Sequence, residues 1–244
     1  MIKSSNPALR RDTFEAIASD GSSEAMTVDG AVNKTVVLAL LVLGGALVTW
    51  NLFKAGSTIT QPLMFVGGIG GFILALIISF NKKSAGVLAP VYAVLKGLLL
   101  GGLSAFFEAI YPGIAIQAIL LTLGVLFSLL LVYKLRIIKV TERFKMGVFA
   151  ATAGIGLYYL IAIVAGLFGL QVPFIHDGGT FGILFSLGVV VIAALNLVID
   201  FDFIEQGATH GAPKYMEWYS AFGLMVTLIW LYIEILRLLS KLRD

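Results

Sequence analysis

Residues 114–133 read IAIQAILLTLGVLFSLLLVY, twenty positions without a charged side chain, closed by Lys134. At about 1.5 Å per residue a helix of that length is roughly 30 Å long, the thickness of a bilayer's hydrocarbon core. A strand of a transmembrane barrel would alternate apolar and polar residues over about ten positions, and this stretch does not alternate. Backbone N–H and C=O groups find no water in lipid, so a continuous apolar run of this length is a helix. Six comparable runs lie around it: 36–53, 62–80 and 88–110 before it, and 146–170, 181–204 and 219–239 after it. The expected fold is an all-α membrane protein, a bundle of seven transmembrane helices spanning residues 34–244.

Composition agrees: of 244 residues 59% are hydrophobic and 13% charged, against about 45–50% and 25% in soluble domains. The absence of cysteine excludes disulfide scaffolds, thiol nucleophiles and cysteine-ligated metals. The net charge of +3 is scattered between apolar runs and forms no stripe, so it excludes a nucleic-acid partner and speaks of membrane topology.

Residues 1–33 are polar and of mixed charge, with Asp12, Glu15, Asp20, Glu24 and Asp29 against Lys3, Arg10 and Arg11. They lack the basic start and immediate apolar core of a cleavable signal and are expected to be a mobile cytoplasmic tail, with at most one surface turn over 13–18. With the N-terminus inside, twelve Lys and Arg fall in inner segments (Lys3, Arg10, Arg11, Lys34, Lys82, Lys83, Lys134, Arg136, Lys139, Arg143, Lys145, Lys214) and four in outer ones (Lys54, Arg237, Lys241, Arg243). The expected placement is therefore a multi-pass protein of a bacterial inner membrane with a cytoplasmic N-terminus. The basic C-terminus leaves open a re-entrant sixth or seventh run with both termini inside.

Helices in lipid associate through small residues that let backbones approach. Ala93, Gly97, Gly101 and Ala105 form such a row, Gly67 and Gly71 a second, Ala150 and Gly154 a third, and most of the 27 glycines are expected to be close-packing positions in a compact bundle.

A charge near the bilayer centre costs on the order of 2.5–3.5 kcal/mol on insertion scales, so the few ionisable residues within the runs are the candidates for function. Lys96 lies six residues after Pro90; with Pro90 as first helical position it would be roughly 9 Å deep, near enough to snorkel to the interface or pair with an acid. Glu108 falls on or beside the small-residue face, as an interfacial carboxylate bonded to a neighbouring helix or as part of an ion path. Asp202 and Glu205 share a face and read as interfacial, whereas Asp200 points nearly the other way and is the deepest acid of its run. Thr227 and Glu234 are seven apart on one face of the last run, and Glu234 is placed to pair with Arg237 three residues on.

Catalysis needs a nucleophile with a base, or a metal with its ligands, within reach. The two histidines, His176 and His210, fall in loops on opposite sides, and zinc, phosphate-loop, calcium-loop and nucleophile-elbow motifs are absent. No catalytic residue, cofactor or bound metal is expected, and the chain does not read as an enzyme.

The C-terminal third carries Ile199-Asp200-Phe201-Asp202-Phe203-Ile204, a polar loop, and a last run ending Tyr232-Ile233-Glu234-Ile235-Leu236-Arg237-Leu238-Leu239. Together with Gly101-Gly102-Leu103-Ser104-Ala105-Phe106-Phe107-Glu108 in the third run it resembles the Bax inhibitor-1 family, within the transmembrane Bax inhibitor motif superfamily. Ser5-Asn6-Pro7-Ala8-Leu9 further resembles a bacterial branch of that superfamily. The resemblance implies a central last helix surrounded by six others and a proton-sensitive calcium leak. It also implies a pair of aspartates on the sixth and seventh helices whose shared proton controls the pore. Asp200 matches the first of the pair, but Thr227 stands at the second, which can donate a hydrogen bond and cannot share the charge. A second carboxylate would then have to come from Glu108, Glu234 or Asp202. The expected partners are the lipid bilayer, calcium ion and, through the N-terminal tail, other membrane machinery such as a membrane-anchored quality-control protease.

Overall fold

The computed structural model describes residues 24–169 and 179–243. Among the described residues seven α-helices follow one another: α1 (Val28–Lys54), α2 (Thr60–Phe80), α3 (Ala85–Ile110), α4 (Ile114–Lys134), α5 (Glu142–Leu167), α6 (Thr180–Thr209) and α7 (Met216–Lys241). All seven are long and apolar enough to cross a membrane. Among the described residues the only extended pairing is a single bridge between Ala25 and Pro213. Leu40, Phe65, Val87, Phe149 and Leu184 stay exposed on the outer surfaces, as side chains that meet acyl chains must. This is an integral, multi-pass membrane protein in contact with the bilayer.

The last helix is the hub. It packs against α1, α3, α4 and α6, and it buries residues on every side, among them Ala221, Leu224, Leu231 and Leu236. Only Val226 along it is exposed, so its neighbours enclose it over nearly all of its surface. The small-residue row of α3 lies against α1: a Cβ on Gly97 or Gly101 would run into the α1 backbone at Val42 and Ala46, and one on Gly45 would meet the Val94 carbonyl oxygen at 2.6 Å. Gly67 meets the α3 backbone and Gly71 the Lys96 side chain.

Several expectations change. The first helix starts at Val28, eight residues before the apolar run, because the Thr27 hydroxyl caps it by accepting from the Gly30 amide at 2.9 Å. Residues 25 and 26 are fastened to the α6–α7 loop, the Met26 amide donating to the Ala212 carbonyl at 2.7 Å; the expected turn over 13–18 lies outside the described residues. Ala150 and Gly154 are exposed, and Gly44, Gly124, Gly188 and Gly223 also have open space where a Cβ would stand. Close packing is thus concentrated between α1, α2 and α3. The bundle is correspondingly uneven, since α5 packs chiefly on α6 and buries only Val148 among its residues.

Side-chain contacts identify the two ends of the bundle. Lys214 reaches Glu24 at 3.0 Å and Lys145 reaches Asp202 at 3.0 Å, so the start of α1, the α4–α5 loop and the α6–α7 loop share one end. Arg243 donates to the Pro112 carbonyl at 3.0 Å and to Gln117 Oε1 at 2.8 Å, which places the C-terminal end of α7 beside the α3–α4 turn. The start of α1 and the end of α7 therefore lie at opposite ends, and neither α6 nor α7 is re-entrant.

Candidate functional site

Asp200 stands nine residues before the end of α6 and Thr227 eleven residues after the start of α7, about 14 and 16 Å from that end of the bundle. Both lie well inside the apolar spans of their helices, away from the ends. Thr227 is buried, its hydroxyl faces the Asp200 carboxylate and it also donates to the Gly223 carbonyl at 3.4 Å. Asp200 Oδ2 is buried, and no protein group donates a hydrogen bond to it. A buried carboxylate oxygen without a donor is costly in low dielectric, so the site is not one that packing alone would favour.

Thr227 belongs to a longer pattern. Ser220, Thr227, Glu234 and Lys241 recur at seven-residue intervals along α7, and all four are buried. Seven residues advance a helix by about 10.5 Å and nearly two full turns, so these groups form a polar stripe along its length. Ser220 Oγ, like Asp200 Oδ2, has no hydrogen-bond partner from the protein. Thr227 and Glu234 of this stripe stand out in the sequence as a polar pair on one face, while Ser220 and Lys241 continue the same spacing to either side. That spacing is the signal that finds them.

At the other end of the stripe Glu234 accepts from the Tyr159 hydroxyl at 3.0 and 3.1 Å and pairs with Arg237 at 3.3 Å. Arg237 also donates to the Tyr159 hydroxyl at 2.7 Å, so three side chains from α5 and α7 close on one another. The Glu234–Arg237 pair expected from spacing is present, with Tyr159 as a third member. On α6, one turn from Asp200, the Asn196 amide donates to Thr152 on α5 at 2.8 Å. Lys241 donates to the Gly182 carbonyl at 3.1 Å.

The remaining acids hold the ends together. Asp202 accepts from Lys145 and, at 2.6 Å, from Gln206. Glu205 accepts from Tyr133 and the Arg136 guanidinium, and that hydrogen bond holds Arg136 above its ordinary pKa. Glu108 accepts from the amides of Gly113, at 2.6 Å, and Ala115, at 3.0 Å. It thereby caps α4 behind Gly113, whose φ of 83° suits glycine. Of the acids named in the sequence, Asp200 alone leaves a buried carboxylate oxygen without a donor beside the α7 stripe, and Asp202, Glu108 and Glu234 supply it with no second carboxylate partner.

Lys96 is deeper than expected. Helix α3 begins at Ala85 with Pro90 inside it, which puts Lys96 about 16 Å along the helix. Its stem lies on Gly71, its ammonium is 5.9 Å from the Tyr92 ring centroid, and no described acid pairs with it. His210 ends α6 with Nδ1 2.7 Å from the Gln206 carbonyl oxygen, and His176 is outside the described residues. Among the described residues no three His, Asp or Glu side chains gather into a metal-binding cluster.

Glu217 was not anticipated. Its carboxylate is fully buried at the start of α7 and accepts from the Thr27 amide at 2.9 Å, the Thr27 hydroxyl at 3.1 Å and Lys34. Lys214 lies 3.7 Å away; the Glu24 carboxylate, its hydrogen-bond partner, holds its pKa above the ordinary value. One side chain thus ties the start of α1 to the hairpin that carries Asp200 and Thr227.

No curated protein matches the chain at a significant level. A family model does: the one described as Bax inhibitor 1 like matches residues 6–244. Since that match takes in all seven helices, the central α7 and the Asp200–Thr227 site between α6 and α7, the chain belongs to the Bax inhibitor 1 like family.

Proposed function

We propose that the protein forms a cation pathway along the α7 stripe, for calcium, with Asp200 as the acid that cations meet within the membrane. The observation that carries this reading is the unpartnered, buried Asp200 oxygen facing a helix whose buried polar groups recur from end to end. Carboxylate, hydroxyl and carbonyl oxygens suit a hard cation, and a single carboxylate suits transit over storage, because a conducting site must release what it binds. The reading assigns no bond-making chemistry to the chain. The N-terminus is cytoplasmic in it, since the start of α1, Lys82 and Lys83, and the α4–α5 loop supply the basic end, and the membrane is a bacterial inner membrane. Purified protein in liposomes is expected to admit calcium, and Asp200→Asn to alter the flux or its pH dependence; absence of flux across a wide pH range contradicts the proposal.

A second reading has its own observation. The chain just after residue 23 is fastened to the α6–α7 loop through Met26, Thr27 and Glu217, so a membrane partner such as a quality-control protease that grips residues 1–23 would pull on that hairpin. Deleting residues 1–23 leaves the Glu217 contacts in place. Loss of partner co-purification with flux intact favours regulation by interaction, and loss of flux with partner binding intact favours the channel alone.

A further inference from the structure

Away from the α6–α7 seam, a cavity of about 430 Å³ lies between α1 and α4, with α3 and α7 beneath it. Its walls include Leu47 and Trp50 of α1, Ile116 and Ile119 of α4, and Leu228 of α7. The two wall helices form no packed interface with each other, and Leu43, Leu47, Ile116 and Ile119 are exposed at its mouth. The cavity therefore opens sideways, at the depth of the hydrocarbon. The polar pair on its floor, Ser104 and Tyr232, is satisfied internally: the two hydroxyls are 2.6 Å apart and Ser104 also donates to the Leu100 carbonyl. Such a space offers water no partners and an apolar chain no unsatisfied group.

The rim at the α3–α4 end is charged. Lys54 lies four residues beyond Trp50 with its ammonium 5.1 Å from that ring's centroid. Arg243 spans to Pro112 and Gln117 on the opposite wall, and neither cation has a carboxylate partner among the described residues. The nearby acid, Glu108, has both oxygens engaged by the Gly113 and Ala115 amides. We propose that this cavity holds one acyl chain of an anionic phospholipid, its phosphate set between Lys54 and Arg243 and its glycerol beside Trp50. The volume falls within the range of ligand cavities, about 300–1,000 Å³, and aromatic rings of this kind favour the headgroup level.

Native mass spectrometry of the full chain in detergent, titrated with phosphatidylglycerol or with phosphatidylcholine, tests this. One phosphatidylglycerol per chain is expected to persist at detergent concentrations that strip phosphatidylcholine. Each basic residue near the headgroup contributes roughly a fivefold preference, so Lys54→Gln with Arg243→Gln is expected to erase the preference while leaving the fold intact. Ile119→Trp, which fills the cavity, is expected to abolish the single-lipid species for both headgroups. Equal retention of the two lipids by the unaltered protein, or an unchanged preference in the Lys54→Gln, Arg243→Gln variant, overturns the proposal. Free glycerol phosphate competing as well as the lipid overturns it too, by showing that the cations alone make the site.

Discussion

At the residue scale the account turns on Asp200 and what faces it. Thr227 supplies a hydroxyl where the resemblance implies a second acid, so one carboxylate on α6 carries whatever charge change the pathway undergoes. Thr227→Asp is therefore expected to add a second titration to the pH profile of flux, because two close carboxylates cannot both ionise freely; an unchanged profile in liposomes would show that the two positions do not interact. Asp200 was legible in the sequence because the first acid after a continuous apolar run, and the deepest of the three that close it, stands out. Glu217 was not, since its Thr27 partner lies 190 positions away and nothing local distinguishes it from an interfacial acid. Removing it leaves Lys34 and the Thr27 amide unanswered. Glu217→Ala is expected to cost about 3 kcal/mol, read as earlier thermal loss of monodisperse protein in detergent, with Glu217→Gln intermediate.

At the scale of elements the apolar runs predicted all seven helices, because hydrocarbon thickness constrains length more tightly than any tertiary contact can override. Ends were less legible. The first turns of α1 contain Asp29 and Lys34 and belong to the interface, so hydropathy passed over them while the Thr27 cap extends the helix through them. Lys96 was placed too shallow for a similar reason: Pro90 was read as a start and lies inside α3. Spacing of small residues told which positions permit close approach, not which of them find a neighbour. Gly101→Ala is accordingly expected to destabilise by about 1–3 kcal/mol, since the new Cβ meets the α1 backbone. Gly154→Ala, facing open space, is expected to be neutral or slightly stabilising. Thermal unfolding of the two variants in one detergent distinguishes them by the sign of the shift.

At the scale of the molecule a well-packed body, α1 to α4 and α6 around α7, carries a looser α5, and the polar stripe of α7 reaches that helix at Tyr159. Loose packing beside buried polar groups is where a pathway opens at least cost in lost contacts. The bundle also fixes the termini: with no native cysteine to interfere, single Lys83→Cys and Arg243→Cys variants in sealed vesicles are expected to react with an impermeant reagent from opposite sides. Reaction from the same side would contradict the seven-crossing arrangement. The central claim is that Asp200 is the acid of a cation pathway, and calcium flux into liposomes, followed from acidic to alkaline pH for the unaltered protein and for Asp200→Asn, tests it most directly. The account predicts a pH-dependent flux whose dependence is lost in the variant; a flux with the same pH profile in both proteins would contradict it.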